Sequence, residues 1–344
     1  EEEKEEEKEE EERDKARERA PLLEIGTHDA RIWDVASNRL GTHVASVSAD
    51  GALKLFKLPL GPLGIRAATD SRAKASNAAA LEVSRLQLGG GLAGALTGAA
   101  GAGDTAKWCS RDLYAVSWHP DGSHLITGGH EGKVQVVDMA HGGATLMRTL
   151  VGHAAAIVQV GTNPSGNLLA SAGRDGTVRF WDALSGLCVK TIGQDHRHAN
   201  DAHPVGEATG LCLSRDGTKC LTTSRHGAVK LWDLRSAGKP LARYKGHQNS
   251  KGSFVRCGFG PREAVVVSGS DDGRIHLWET HTTKPVSTLP SSMSPIGGGG
   301  FTGGSSGGHA SGACVYRALW CAKQSLLATC AEDGSVRTWG HLPG

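Results

Sequence analysis

The chain has 344 residues, 38% hydrophobic, 22% charged and 5% aromatic, with 48 glycines and a formal net charge of +2. That length allows one large or two ordinary domains, and the glycine content argues for many turns and small-residue packing rather than a long-helix or collagen class. No run approaches the roughly 18 apolar residues of a membrane helix, and the start is Glu-rich where a secretory signal would be basic and then apolar. A soluble cytoplasmic or nuclear protein with no membrane association is therefore expected.

Residues 1–20 form an acidic tail. Positions 1–19 hold 12 acidic and 6 basic side chains, which leaves a body of 24 acidic and 32 basic, a net of +8. With no apolar face before Leu22, the tail is expected to be a solvated charged helix or disordered chain. The basic body could attract nucleic acid, acidic protein surfaces or its own tail, and protein partners are expected ahead of nucleic acid. The eight cysteines show no Cys-x-x-Cys spacing and mostly lie in apolar runs, so reduced thiols packing as small hydrophobes are expected.

From residue 21 to 340 the chain repeats itself. An apolar run, a tight turn usually carrying Asp-Gly and a second apolar run ending in an aromatic recur as VASVSADGALKLF (44–56), LITGGHEGKVQVV (125–137), LASAGRDGTVRFW (169–181), LTTSRHGAVKLW (221–232), VVSGSDDGRIHLW (266–278) and LATCAEDGSVRTW (327–339). A degenerate copy, EIGTHDARIW, lies at 24–33, making seven endings. Period-two alternation flanking Asp-Gly predicts a β-hairpin in each copy. Further strands precede several hairpins, as in LYAVSWHPDG (113–122) and IVQVGTNPSG (157–166). Turn glycines Gly132, Gly176, Gly227, Gly273 and Gly334 recur at 44, 51, 46 and 61 residues, near the period of four-stranded propeller blades with insertions. The fold class predicted is an all-β propeller of seven blades.

The Gly-His pairs at Gly152-His153 and Gly246-His247, and the Trp-Asp pairs at Trp33-Asp34, Trp181-Asp182 and Trp232-Asp233, resemble WD-repeat proteins of the β-transducin type. The resemblance implies two structural tetrads, His153–Ser171–Asp175–Trp181 and His247–Ser268–Asp272–Trp278, each a buried hydrogen-bond chain. Departures from the pattern are His226 and Glu131 at the turn Asp position and Val137 in place of a tryptophan. Only ten residues separate Trp33 from Val44, too few for a full blade. The first two blades are therefore expected to be incomplete and the chain, which begins without Met, to be truncated. Insertions at 59–107 and 290–312 are Gly-, Ala- and Ser-rich and are expected to be loops, including the apolar stretch 81–103.

No phosphate-binding loop, nucleophile elbow or His-Glu-x-x-His helix is present, so no enzyme activity, cofactor or metal is expected. His196, His198 and His203, with Asp195 and Asp201, are expected to lie on an exposed loop rather than to ligate metal. The resemblance implies a protein-interaction scaffold or adaptor within a multisubunit complex. Tyr244, Phe254 and Arg256 are candidate exposed contacts, with Phe254 alternatively an inner-strand residue. The Trp-Asp-x-Arg run formed by Trp232, Asp233 and Arg235 resembles the box of WD-repeat substrate receptors of cullin-4 ubiquitin ligases, which would make Arg235 an adaptor contact. An RNA- or chromatin-associated assembly factor is the further alternative.

Overall fold

The computed structural model describes residues 28–57, 82–87, 112–139, 144–192, 207–225, 229–236, 239–249, 254–289, 313–321, 326–333 and 336–339. The acidic tail, the His196–His203 loop, His226 and the insertion at 290–312 lie outside the described residues. Among those described there is no α-helix and no helix long and apolar enough to cross a membrane.

The described residues form six antiparallel sheets that follow one another along the chain. Sheet 1 comprises β1 (Ile32–Ser37), β2 (His43–Ser48), β3 (Ala52–Lys57) and β4 (Glu82–Gln87), and sheet 2 comprises β5 (Leu113–Trp118), β6 (His124–Gly129), β7 (Lys133–Asp138) and β8 (Thr145–Val151). Sheet 3 holds β9 (Ile157–Thr162), β10 (Leu168–Gly173), β11 (Val178–Asp182) and β12 (Cys188–Ile192). Sheet 4 holds β13 (Ala208–Leu213), β14 (Lys219–Ser224), β15 (Val229–Asp233) and β16 (Ala242–Tyr244). Sheet 5 is β17 (Cys257–Phe259), β18 (Val265–Ser268), β19 (Ile275–Glu279) and β20 (Pro285–Leu289), and sheet 6 is β21 (Val315–Cys321), β22 (Leu326–Ala331) and β23 (Val336–Trp339).

In sheet 3, burial falls from the first strand to the last. Ile157–Val160 are fully buried whereas β12 is mostly exposed, so the first strand lies inward and the fourth outward. The inner strands of consecutive sheets meet one another around an axis, which makes the molecule a β-propeller.

Alternation along each strand sends its apolar set to both faces, and neighbouring sheets share those faces. Five apolar clusters result, one at each junction from sheets 1 and 2 to sheets 5 and 6. At the first of these Ala45, Val47 and Leu53 pack on Leu113, Leu125 and Val137. Between sheets 6 and 1 lies a cavity of about 460 Å³, lined among others by Val35, Ala36, Arg317, Leu319, Ala328 and Val336. Val35, Leu319 and Val336 are exposed.

The repeat at 24–33 is not a separate blade ending. Its Ile32 and Trp33 begin β1, the inner strand of sheet 1, and the chain reverses after Ser37 through a turn in which the Asn38 Oδ1 accepts the backbone N–H groups of Thr42 and His43 at 2.8 and 3.1 Å. Seven endings thus yield six described sheets. Sheet 1 also has all four strands, because Glu82–Gln87, expected to be loop, pairs with β3 in the register Leu53↔Leu86 and Lys54↔Arg85. The outward edge of β3 offers a ladder of backbone groups that a flanking strand satisfies, whatever the glycine content on either side of it.

One spacing governs the polar interior. In sheets 3, 4 and 6 a tryptophan on the third strand donates its indole N–H to the Ser or Thr ten residues earlier: Trp181 to Ser171 at 2.9 Å, Trp232 to Thr222 at 2.8 Å and Trp339 to Thr329 at 2.9 Å. In sheet 2 the third-strand position is Val137, and the hydroxyl of Thr127, ten residues earlier, is buried without a partner among the described residues. Sheet 5 departs in another way. Trp278 donates to the Lys245 carbonyl at 3.0 Å, Ser268 donates to the Gly269 carbonyl, and both ring nitrogens of His247 are buried without partners among the described residues. His276 stacks on Trp278 at 5.6 Å and lies 3.7 Å from Asp272. The expected His247–Ser268–Asp272–Trp278 chain is therefore not joined here: the Trp278 N–H goes to the Lys245 carbonyl and the Ser268 hydroxyl to the Gly269 carbonyl, and His247 stands 21 positions before Ser268 where His153 stands 18 before Ser171.

Two predictions follow from these differences in satisfaction. Thr127→Val removes an unpaired buried hydroxyl at nearly constant volume and is expected to stabilise the protein by about 1 kcal/mol in urea unfolding, whereas Ser171→Ala, which strands the Trp181 N–H and the His153 ring, is expected to cost about 1–3 kcal/mol. Burial, together with the neighbouring His276 and against Asp271 and Asp272, lowers His247 from 6.5 to about 4. The unfolded chain thus binds a proton between those values that the folded chain refuses, so stability falls as pH drops from 6.5 towards 4. His276, lowered chiefly by its burial, adds to the same slope. Unfolding measured across that window is expected to show a shallower slope for His247→Phe than for the wild type.

Candidate interaction face

The turns joining second to third strands, and the loops entering each inner strand, lie on one face of the propeller. In sheet 3 this is shown directly: His153 on the entry loop reaches Asp175 in the turn between β10 and β11 at 2.9 Å, and Ser171 at 2.8 Å. Burial alone would raise the Asp175 carboxyl, but His153, Thr177 and the Ala154 backbone N–H hold it well below the usual range. Gly173 passes so close that a Cβ there would meet His153 Nδ1 at 2.5 Å.

The same arrangement stands in sheet 1 as His28, Ser46 and Asp50. Nδ1 of His28 lies 3.0 Å from the carboxylate and Nε2 lies 2.7 Å from the hydroxyl. Sequence reading missed this set because it treated residues 24–33 as the end of a repeat rather than the beginning of one. The signal was present: 18 residues separate His28 from Ser46, as they separate His153 from Ser171.

These His–Ser–Asp sets have the connectivity of a nucleophile triad. Ser171 is 0% exposed, however, and accepts the Trp181 N–H, so its oxygen is closed to any substrate. Their geometry fits the tying together of turn, strand and neighbouring strand.

At the axis stands the carboxylate of Asp34. It accepts Arg256 Nη1 at 2.6 Å and Arg317 Nη1 at 2.9 Å on one oxygen, and the Val116 backbone N–H at 3.2 Å on the other. The second Arg256 nitrogen, Nη2, donates to the carbonyl oxygens of Tyr114 at 3.2 Å and Val158 at 3.4 Å. Arg256 is 5% exposed, so it is not the free partner contact expected from sequence; its side chain crosses the axis to the opposite sheets.

Above this plug sits an aromatic cluster. Trp33 meets Tyr114 and Phe254 edge-on, both at 5.3 Å, and Tyr114 lies 5.7 Å from Phe254. Arg31 lies over Trp33 at 5.2 Å and Arg174 over Phe254 at 5.3 Å. Arg174 is about 39% exposed, and it shares Glu207 with Arg225, each at 3.7 Å. The Trp33 indole N–H has no partner among the described residues. Tyr114 is buried and Trp33 and Phe254 are half-buried, so the cluster shows two partly exposed rings edged by guanidiniums, the composition of a protein-binding hot spot.

Other predicted contacts fall elsewhere. Tyr244 is fully buried and its hydroxyl donates to the Thr280 carbonyl at 2.6 Å. Trp232 is 2% exposed and committed to Thr222, so it too cannot touch a partner. Arg235, in contrast, is about 71% exposed on the opposite face, with Nε and Nη2 forked on the carboxylate of Asp233 at 3.2 and 3.1 Å. Among the described cysteines none is in a disulfide; Cys220, Cys257 and Cys314 are buried while Cys188 is exposed.

Comparison with known proteins gives matches over most of the chain. Residues 109–296 match the β-propeller family described as Nucleolar protein 10-like, N-terminal domain, and residues 19–57 and 303–340 match WD domain, G-beta repeat. A WD repeat-containing protein 26 homolog of Arabidopsis thaliana is 23% identical over 262 residues, covering 67% of this chain and 41% of its own length. The target of rapamycin complex subunit LST8 of Saccharomyces cerevisiae is 33% identical over 116 residues, covering 33% of this chain and 34% of its own. The COMPASS component SWD3 of the same yeast is 24% identical over 234 residues, covering 54% of this chain and 73% of its own. The chain thus spans less than half the length of the first two.

Removing the axial carboxylate tests the plug. Asp34→Asn leaves two guanidiniums facing each other inside the propeller and is expected to cost about 3–5 kcal/mol in urea unfolding, whereas Arg317→Met, at a half-exposed guanidinium, is expected to cost less.

Proposed function

Because the chain belongs to the WD-repeat β-propeller family, we propose that it is a non-catalytic scaffold that holds partners in a multiprotein assembly, in cytoplasm or nucleus. The aromatic cluster of Trp33, Tyr114 and Phe254, rimmed by Arg31 and Arg174, carries this reading. Two of the relatives are by name a complex subunit and a component, which supports the same class of role. Arg31 and Arg174 edge the rings, with Glu207 beside Arg174 and Asp112 beside Tyr114, so the fitting partner is a protein segment with an apolar or aromatic anchor and an acidic side chain placed for Arg31. The sealed Ser171 hydroxyl supports the non-catalytic part.

The seven-unit ring read from the repeats remains part of the proposal. The cavity between sheets 6 and 1, with Val35, Leu319 and Val336 exposed, is where one more sheet would bury apolar surface.

A second reading, adaptor contact for a cullin-4 ligase, rests on Arg235, whose exposed guanidinium is pre-oriented by Asp233. A tagged pull-down from cell lysate with wild type, Arg31→Glu/Arg174→Glu and Arg235→Ala separates the two. Scaffolding through the rim expects the charge-reversed double variant to lose the main partner set and Arg235→Ala to keep it. Loss of a ligase adaptor with Arg235→Ala alone would move the assignment to the second reading, and equal recovery by all three proteins would remove both sites.

A further inference from the structure

On the face opposite the aromatic rim, the turn between β5 and β6 reads Trp118-His119-Pro120-Asp121-Gly122-Ser123-His124. The three potential ligands His119, Asp121 and His124 are brought within 4.8 Å of one another. Asp121 Oδ2 lies 2.9 Å from His119 Nδ1 and 2.6 Å from His124 Nδ1. Its other oxygen, Oδ1, is fixed by the backbone N–H groups of Ser123 at 2.8 Å and His124 at 3.2 Å. The carboxylate is thus oriented by one oxygen and presents the other to two imidazole nitrogens.

The protonation pattern of His119 is constrained from the neighbouring sheet. Its Nε2 lies 2.8 Å from the Gly166 carbonyl, an oxygen that can only accept, so Nε2 carries the proton. Its Nδ1 is thereby turned toward Asp121, where it takes the backbone N–H at 3.4 Å and lies 2.9 Å from the carboxylate. A ring that gives its far N–H to a backbone carbonyl while its near nitrogen faces other donors is the arrangement found around metal-bound histidines. Gly166 makes it possible: at φ +77 it has no side chain, and a Cβ there would come 2.4 Å from His119 Nε2.

We propose that His119 Nδ1, Asp121 Oδ2 and His124 Nδ1 form a site for a divalent transition metal ion of the zinc class, with water as the fourth ligand. Two imidazoles and one carboxylate select zinc, copper or nickel over magnesium or calcium, which take oxygen ligands. Metal–ligand bonds of about 2.0–2.2 Å in a tetrahedron need ligand atoms about 3.3 Å apart, so an entering ion would move Asp121 Oδ2 about 0.4 Å farther from His119 Nδ1 and about 0.7 Å farther from His124 Nδ1. The Asp121 side chain is about 38% exposed, and that opening admits the ion and its water. The site joins the turn of sheet 2 to that of sheet 3 through His119, so an ion there would brace two blades.

The test starts from full-length protein stripped of metal with a chelator and dialysed, then titrated with Zn²⁺ by calorimetry and with Co²⁺ by visible absorption. One equivalent is expected to bind with imidazole and carboxylate ligation, seen as two nitrogen-ring shells and no sulfur in zinc X-ray absorption. His119→Gln/His124→Gln is expected to weaken that equivalent at least 100-fold, and Asp121→Asn at least tenfold, with unchanged circular dichroism. A protein with His196, His198 and His203 changed to Asn is expected to keep it. Absence of a bound equivalent in the wild type, equal binding by the His119/His124 double variant, or sulfur ligation would each overturn the proposal. The X-ray absorption result decides the matter on the wild type alone should the double variant not fold.

Discussion

The carboxylate of Asp34 is the point on which the propeller converges. Five of the six sheets meet there: sheet 1 supplies the anion, sheets 5 and 6 the two guanidiniums, and sheets 2 and 3 the carbonyl oxygens and the amide that complete the shell. Burying a carboxylate costs several kcal/mol unless its charge is matched and its lone pairs are filled. Here both conditions hold only when the inner strands of those sheets are in place together. A charge that is tolerable in one arrangement and costly in every other works for specificity of assembly more than for raw stability. It also explains how a ring of sheets whose sixth and first members are separated by a cavity keeps a defined axis: Arg317 and Arg256 span that side with charge where the other five junctions use apolar packing.

Much of this was legible in the sequence, and the limits have physical causes. Period-two alternation around Asp-Gly and the ten-residue spacing between hydroxyl and tryptophan are local features, and they locate the hairpins of sheets 2 to 6 without any tertiary information. Trp33-Asp34 misled because the same dipeptide that closes a third strand elsewhere opens an inner strand here; only the chain reversal at Asn38 and Thr42 distinguishes the two. Arg256 looked like a surface contact because long-range ion pairing, over 222 positions in sequence, leaves no local trace. The strand at Glu82–Gln87 was hidden for a related reason: its order derives from the exposed ladder of β3 and little from its own composition.

The histidines show how a single residue type serves different ends according to its surroundings. His28 and His153 are each held between a hydroxyl and a carboxylate, whereas His247, which follows a glycine as His153 does but precedes its serine by 21 positions where His153 does so by 18, is buried without a hydrogen-bond partner among the described residues. Where the spacing from histidine to hydroxyl and carboxylate is 18 and 22 positions the three side chains bond, and where it is 21 and 25 they do not. A motif count alone therefore overstates how many tetrads form.

The two faces of the propeller differ in a way that follows from its turns. Loops into the inner strands carry the first-strand aromatics towards the axis, so the face above the plug gathers Trp33, Tyr114 and Phe254 from sheets 1, 2 and the entry to 5, which no single blade could assemble. Turns between first and second strands project outward and touch only the next blade, as His119 does at Gly166. Broad recognition of a protein segment belongs to the first geometry, because it pools residues distant in sequence around one centre. Small, local sites belong to the second, where a seven-residue turn and one neighbouring carbonyl supply everything a bound ion would need.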